Sequence, residues 1–311
     1  MKTPKRLRFL AYTGAFASAL LSACGGGGGS SGTSGLIPAT VTSATAASGK
    51  YSQSMLVTVQ GSNLDQGLTV TSGGCKGMAL SSTSPYISSA TTAYFNCTIS
   101  GVGAQTLSVA RSSDGVALAS ATYTVEVPQV TLSMSNGAGV NGNIVITLEA
   151  AKAPITTDNF LAYIKSGFYV NTAYHRLLAG FVAQGGGYAG PLTTATSASS
   201  LKPTLPAITL EDGAGLLNLK YTLAMARTSP ANGGAYDSAT SQFFINLVNN
   251  AFLNKGDPAN QDGGRGYAVF GTVTTGTAVV DAMAVAPCVS ALVSTCLPIP
   301  NITITAASQT R

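Results

Sequence analysis

Tryptophan is absent from the chain, and His175 is the only histidine. Charge is scarce as well: Asp, Glu, Lys and Arg together make up 9% of the residues. So apolar a chain is excluded from wholesale disorder, which needs high charge and low hydrophobicity. It is still too polar for a protein that crosses a membrane many times. No CxxC pair exists and His175 has no cysteine near it in sequence, so the chain lacks the spacing of a zinc site. No metal and no organic cofactor is expected. A long hydrophobic run is missing too. The longest, Phe9 to Leu21, falls short of the roughly 20 residues a spanning helix needs.

Acidic residues are missing from the first 24 positions, where Lys2, Lys5, Arg6 and Arg8 stand. Those four account for most of the formal charge of +5. Without them, twelve basic residues face eleven acidic ones, a net of +1. The rest of the chain shows no basic patch, and nucleic acid is not an expected partner. A basic stretch followed by a short apolar run has the form of an export signal. It ends in Leu21-Ser22-Ala23-Cys24, which resembles the lipobox of bacterial lipoproteins. The resemblance implies lipid on Cys24 and a chain anchored to a membrane without spanning it. Gly25 follows, where an Asp would hint at inner-membrane retention in enteric bacteria. The expected location is therefore the cell envelope, on the outer membrane facing the periplasm.

Four cysteines remain: Cys75, Cys97, Cys288 and Cys296. In an oxidising compartment, Cys75–Cys97 and Cys288–Cys296 are the natural disulfides, though four cysteines allow three pairings.

A length of 311 residues suggests two domains. Residues 1–24 read as the signal with its lipobox cysteine, and 25–36, nearly all Gly and Ser, as a flexible tether. Residues 37–128 read as all-β. Short β-branched or alternating runs at 55–59, 68–71, 106–110 and 121–127 are separated by turn residues. They fit a small β-sandwich that faintly resembles immunoglobulin-like domains, with no catalytic constellation in it. Pro128 marks the boundary to a second domain, 129–311. Strands are expected at 130–134 and 143–148, joined as a hairpin. A helix starts at Pro154 and stops at Gly167, a shorter one covers 278–283, and a last strand covers 302–304. The stretch 287–298 reads as an extra loop stapled by its cysteine pair.

Chemistry concentrates in the second domain. Tyr174-His175-Arg176 is followed by Gly180-Phe181-Val182-Ala183-Gln184-Gly185-Gly186. Further on come Met225-Ala226-Arg227, the run Ser238 to Asn246, Phe252-Leu253, and Tyr267-Ala268-Val269-Phe270-Gly271. In this order and spacing, over about residues 129–306, they resemble the cyclophilin-type peptidyl-prolyl cis–trans isomerases, bacterial members above all. The resemblance implies a closed eight-stranded antiparallel barrel capped by two helices. It implies rotation about X-Pro bonds in proline-containing polypeptides, against a barrier of roughly 20 kcal/mol.

Carried over by position, Arg176, Phe181 and Gln184 are the catalytic candidates. Val182, Ala226, Arg227, Gln242, Phe244, Phe252, Leu253 and Tyr267 are the substrate-binding ones. Arg176 is expected to donate to the prolyl nitrogen, which gains a lone pair as the amide twists. His175 is expected to be structural. Phe252 stands where many eukaryotic members carry Trp, Tyr267 where they carry His, and Gly187 where they carry Asp. The first departure implies weak cyclosporin binding. A monomer is expected. The rival reading is a low-turnover proline-peptide-binding chaperone or surface interaction lipoprotein, which would have no evident need for Arg176.

Overall fold

The computed structural model describes residues 37–311 apart from 197, 231 and 232. The signal segment, Cys24 and the tether at 25–36 lie outside the described residues.

Seven strands come first: β1 (Thr40–Ala46), β2 (Ser54–Ser62), β3 (Leu68–Ser72), β4 (Cys75–Leu80), β5 (Thr92–Ile99), β6 (Gly103–Arg111) and β7 (Ala117–Val125). They form two antiparallel sheets, ordered β1-β2-β5-β4 and β3-β6-β7. Alternate residues turn inward, as the two-residue period of a strand requires. Met55, Val57 and Val59 on β2 meet Phe95 and Ile99 on β5 and Leu107 and Val109 on β6 in one apolar cluster. Cys75 is joined to Cys97, which ties β4 to β5.

The second set opens with β8 (Gln129–Ser135) and β9 (Asn141–Leu148), the expected hairpin, then helix α1 (Pro154–Lys165). Four short strands follow: β10 (Thr172–Ala173), β11 (Arg176–Leu177), β12 (Val182–Gly185) and β13 (Tyr188–Ala189). The set is completed by β14 (Thr222–Met225), β15 (Phe243–Asn246), β16 (Val269–Thr275), helix α2 (Thr277–Ala284), a hairpin of β17 (Cys288–Ala291) and β18 (Ser294–Pro298), and β19 (Thr303–Gln309). Apart from the hairpin, the strands make one antiparallel ladder, β11-β12-β15-β14-β16-β9-β8-β19-β10-β13.

The expectation of eight strands closed in a ring gives way here to ten segments curled into a half-barrel. Among the described residues, no pairing joins the end strands β11 and β13. Both are only two residues long, and the 288–298 hairpin packs beside β11. Leu297 of that hairpin is fully buried with Ala173, Tyr188 and Leu192, so side chains close the gap that hydrogen bonds leave open. Cys288 is joined to Cys296 across the hairpin.

Helix α1 lies over the interior of this sheet. Phe160 meets Tyr169, Phe243 and Phe270 at ring distances of 5.2, 5.5 and 5.1 Å. Ala153 offers the helix no side-chain cap. The orphan donors of the first turn find Glu211 instead, which accepts from Ile155 N at 3.1 Å and from Thr156 N at 2.7 Å. Gly167, at φ +68°, turns the chain away after the helix.

The two sets of strands touch. Lys50 donates to the carbonyls of Gln309 and Thr310 at 3.2 and 3.0 Å, and Gln309 donates to the Tyr51 carbonyl at 3.0 Å. Lys165 donates to the Ser52 carbonyl, and Lys76 pairs with Asp158 at 3.1 Å. Tyr51 is fully buried there, and burial pushes the pKa of its hydroxyl upward, with Asp158 adding to the effect.

Candidate active site

Strand register lays out a row of side chains. Arg176 on β11 stands opposite Gln184 on β12, Gln184 opposite Phe244 on β15, Phe244 opposite Ala224 on β14, and Ala224 opposite Val269 on β16. Residues one step along, Leu177, Ala183, Ile245 and Leu223, point the other way and join the interior cluster. One face of these five strands therefore builds the core while the other is free to hold a ligand.

Between β11 and β12 the chain makes a tight turn in which Phe181 N donates to Leu178 O at 3.0 Å. That turn sets Phe181 beside Arg176, with the guanidinium carbon 5.7 Å from the ring centre. After β12, Gly186 takes φ +81°, and a Cβ there would lie 3.0 Å from the Phe243 ring. Glycine is needed at this point for both reasons.

A cavity of about 220 Å³ opens on this face. Val182, Phe244 and Leu253 form its buried apolar floor, backed by Ala224 and Val269, with Phe181, Ala226 and Tyr267 packed around them. At its edge runs a chain of polar groups. Arg176 Nη1 donates to Gln184 Oε1 at 3.3 Å, and Gln184 Nε2 donates to Gln242 Oε1 at 3.0 Å. Arg176 is half-buried, and burial draws its pKa below the ordinary value while Tyr267 opposes that. The guanidinium stays charged all the same. A cation thus stands at the rim of an apolar hollow.

Nine of the eleven residues expected in the groove line this cavity, and Gln242 and Phe252 stand beside it against Gln184 and Phe181. Phe252 stacks on Phe181 at 5.5 Å, and Tyr267 meets Phe244 edge-on at 5.6 Å. Arg227 differs from expectation in its state. Its side chain is only 1% exposed, pairs with Asp262 at 2.5 Å, and lies over the Tyr267 ring at 4.4 Å. It serves the groove as a buried wall that steadies Tyr267. His175 is buried against Tyr188 at 4.8 Å. Burial, and then the Arg176 charge, bring its pKa down to about 4.

Sequence reasoning did not find the supports. Asn246 Nδ2 donates to Thr222 Oγ1 at 2.9 Å and to Asn218 Oδ1 at 3.2 Å. Asn250 Nδ2 donates to Asn246 Oδ1 at 2.7 Å and to the Phe181 carbonyl at 3.1 Å. Asn218 Nδ2 donates to the Leu253 carbonyl at 3.2 Å. Three buried amides thereby tie together the backbones of Phe181 and Leu253, both of which line the cavity. Only the Asn246 position fell inside a recognised motif.

The family model for "Cyclophilin type peptidyl-prolyl cis-trans isomerase/CLD" matches residues 130–309. The chain belongs to this family. The cyclophilin-type region is 47% identical over 142 residues to "Peptidyl-prolyl cis-trans isomerase cyp18" of Streptomyces antibioticus, covering 46% of this chain and 77% of that one. It is 45% identical over 141 residues to "Peptidyl-prolyl cis-trans isomerase B" of Escherichia coli strain K12, covering 45% and 77%. Against "Peptidyl-prolyl cis-trans isomerase A" of Dickeya dadantii strain 3937 the figures are 44% over 140 residues, covering 45% and 65%. The cyclophilin match begins after the seven N-terminal strands, which it leaves unaccounted for.

Proposed function

We propose that the chain rotates X-Pro bonds in exported polypeptides of the bacterial envelope, and that Arg176 is the catalytic residue. The observation that carries this reading is the Arg176–Gln184–Gln242 chain at the edge of the apolar cavity.

In a planar amide the prolyl nitrogen lone pair is delocalised, and it offers almost nothing to a donor. Rotation localises that pair. A guanidinium held in place then gains a hydrogen bond that exists only in the twisted state, which is the kind of binding that speeds a reaction. No bond to the substrate is made and no proton need be transferred. Val182, Phe244 and Leu253 hold the pyrrolidine ring, Phe181 closes one side, and Gln184 fixes the plane of the guanidinium. Gln242 ties Gln184 down from its other side.

The envelope setting is supported by the lipobox-like run ending at Cys24 and by the four remaining cysteines standing in pairing distance. Lipid on Cys24 would anchor the protein to the outer membrane. The N-terminal sheets, on this reading, are an immunoglobulin-like spacer between anchor and enzyme.

The deciding experiment is isomerisation of a Xaa-Pro peptide by the soluble mature form beside Arg176→Ala. Catalysis that collapses in the variant supports the assignment. No catalysis by a folded wild type would shift the reading to a proline-peptide-binding module. Fatty-acid labelling that disappears in Cys24→Ser tests the anchor separately.

A further inference from the structure

A second cavity, of about 540 Å³, adjoins the first. Leu253 and Tyr267 line both, so the two share a wall. Phe252, Ser229 and the run Ala259 to Asp262 make the remaining sides.

The polar groups among these walls are already engaged. Asp262 accepts from Ser229 Oγ at 2.6 Å and pairs with Arg227 at 2.5 Å. Asn260 Nδ2 donates to the carbonyls of Asn254 and Arg265, both at 3.0 Å, and its Oδ1 accepts from Asp262 N at 2.8 Å. Arg265 pairs with Asp212 at 2.6 Å, which pins the far end of the same segment. The acid is matched by a base, and no charge is left over to meet a charged ligand.

Apolar surface remains on offer. Phe252 is 43% exposed although one face of its ring is stacked on Phe181. Ala259 is exposed, and Leu253 and Tyr267 complete a wall on which an aromatic ring can stack or meet an edge. Neighbouring residues of an extended peptide are about 3.3 Å apart and alternate in direction. A peptide whose proline fills the smaller cavity therefore brings a flanking side chain to the larger one.

We propose that this second cavity is a specificity subsite for a bulky apolar side chain, aromatic for preference, on a residue flanking the bound proline. The segment carrying Ala259 and Gln261 sets that preference. The inference rests on the reading of the groove given above.

The test uses the soluble mature protein and single-proline peptides otherwise made of glycine. Phe, Lys or Glu is placed in turn at each of the two positions on either side of the proline. At one position Phe should raise kcat/KM roughly tenfold over Gly, and Lys or Glu should not. In Ala259→Arg, whose side chain occupies the cavity, the Phe/Gly ratio at that position should fall to about one. Gln261→Trp, at an exposed site that narrows the mouth, should lower the same ratio, with melting curves showing both variants folded. An unchanged ratio in both variants, or no position that discriminates, overturns the subsite. Turnover of the all-glycine peptide separates the two readings. If it is absent, the groove assignment fails and this inference with it. If it is present without discrimination, only the subsite fails.

Discussion

Gln184 faces Arg176 across the β11–β12 ladder, and its one side-chain amide bonds both that guanidinium and Gln242. The arginine is thus held by a residue that is itself held. Arg176→Ala is expected to lower kcat/KM by roughly two to three orders of magnitude, the usual cost of losing a transition-state donor. Arg176→Lys should recover only part, because an ammonium lacks the planar fork that Gln184 grips. Gln184→Ala acts through orientation and should cost less, roughly tenfold to a hundredfold. Peptide isomerisation rates for the three variants check the ranking, and full activity in Arg176→Ala would end the assignment.

His175 gives a pH signature. Its folded pKa of about 4 lies below the unfolded value near 6.5. Between these values the unfolded chain binds the extra proton, so stability falls as pH drops from 6.5 to 4 and is fully present above 6.5. The whole span is worth about 3 kcal/mol. Urea melts at pH 7.5, 6 and 4.5 should show this slope in the wild type and a flatter one in His175→Gln. Equal slopes would mean that the imidazole is not responsible.

Asn250→Ala strips partners from both Asn246 and the Phe181 carbonyl. The expected loss is about 1–3 kcal/mol, the cost of leaving the buried Asn246 Oδ1 unpaired, while the Phe181 carbonyl keeps its bond from Leu247 N at 2.9 Å. Catalysis should weaken as well, since the Phe181 carbonyl keeps only one of its two holds. Denaturant midpoints together with kcat/KM would reveal the double effect. A change in stability alone would confine the network to a structural role.

Replacing both Cys288 and Cys296 by Ser opens a short loop, with a sequence separation of 8. In the chain-entropy account this costs about 2–3 kcal/mol. The hairpin carries the buried Leu297 that fills the gap beside β11. The melting temperature of the double variant should fall below that of the oxidised wild type, and the reduced wild type, which also loses Cys75–Cys97, should fall further; an unchanged melting temperature in the double variant would argue against the pairing.

The groove was legible because its residues sit in compact, ordered motifs. Gly180 to Gly186 and Ser238 to Asn246 become the antiparallel partners β12 and β15, so neighbours in the motif are neighbours in the ladder. Periodicity found the strands with unbroken β-branched runs, such as β2 and β6. It missed β1, β4 and β5. In β4 a register shift between Lys76 and Ala79 interrupts the alternation, and most of the strand is exposed. In β5 polar Asn96 and Thr98 stand between inward residues of mixed type. The amide network escaped because Asn218, Asn246 and Asn250 are joined only by folding. The buried state of Arg227 escaped for the same reason, since its partner Asp262 is 35 positions away.

The junction with the N-terminal sheets has a mechanical consequence. Three residues separate the end of β7 from the start of β8, and the end of β19 receives the Lys50 bonds. These two strands lie side by side in the ladder. A pull on the N-terminal sheets enters the half-barrel along β8 and β19 and loads their shared hydrogen bonds in shear. Of the five strands that carry the groove face, β16 is separated from β8 only by β9, and β11 stands at the far end of the ladder. Lys165 and Asp158 add a second hold on α1, so a pull on the N-terminal sheets is shared between the β8–β19 pair and the helix over the core.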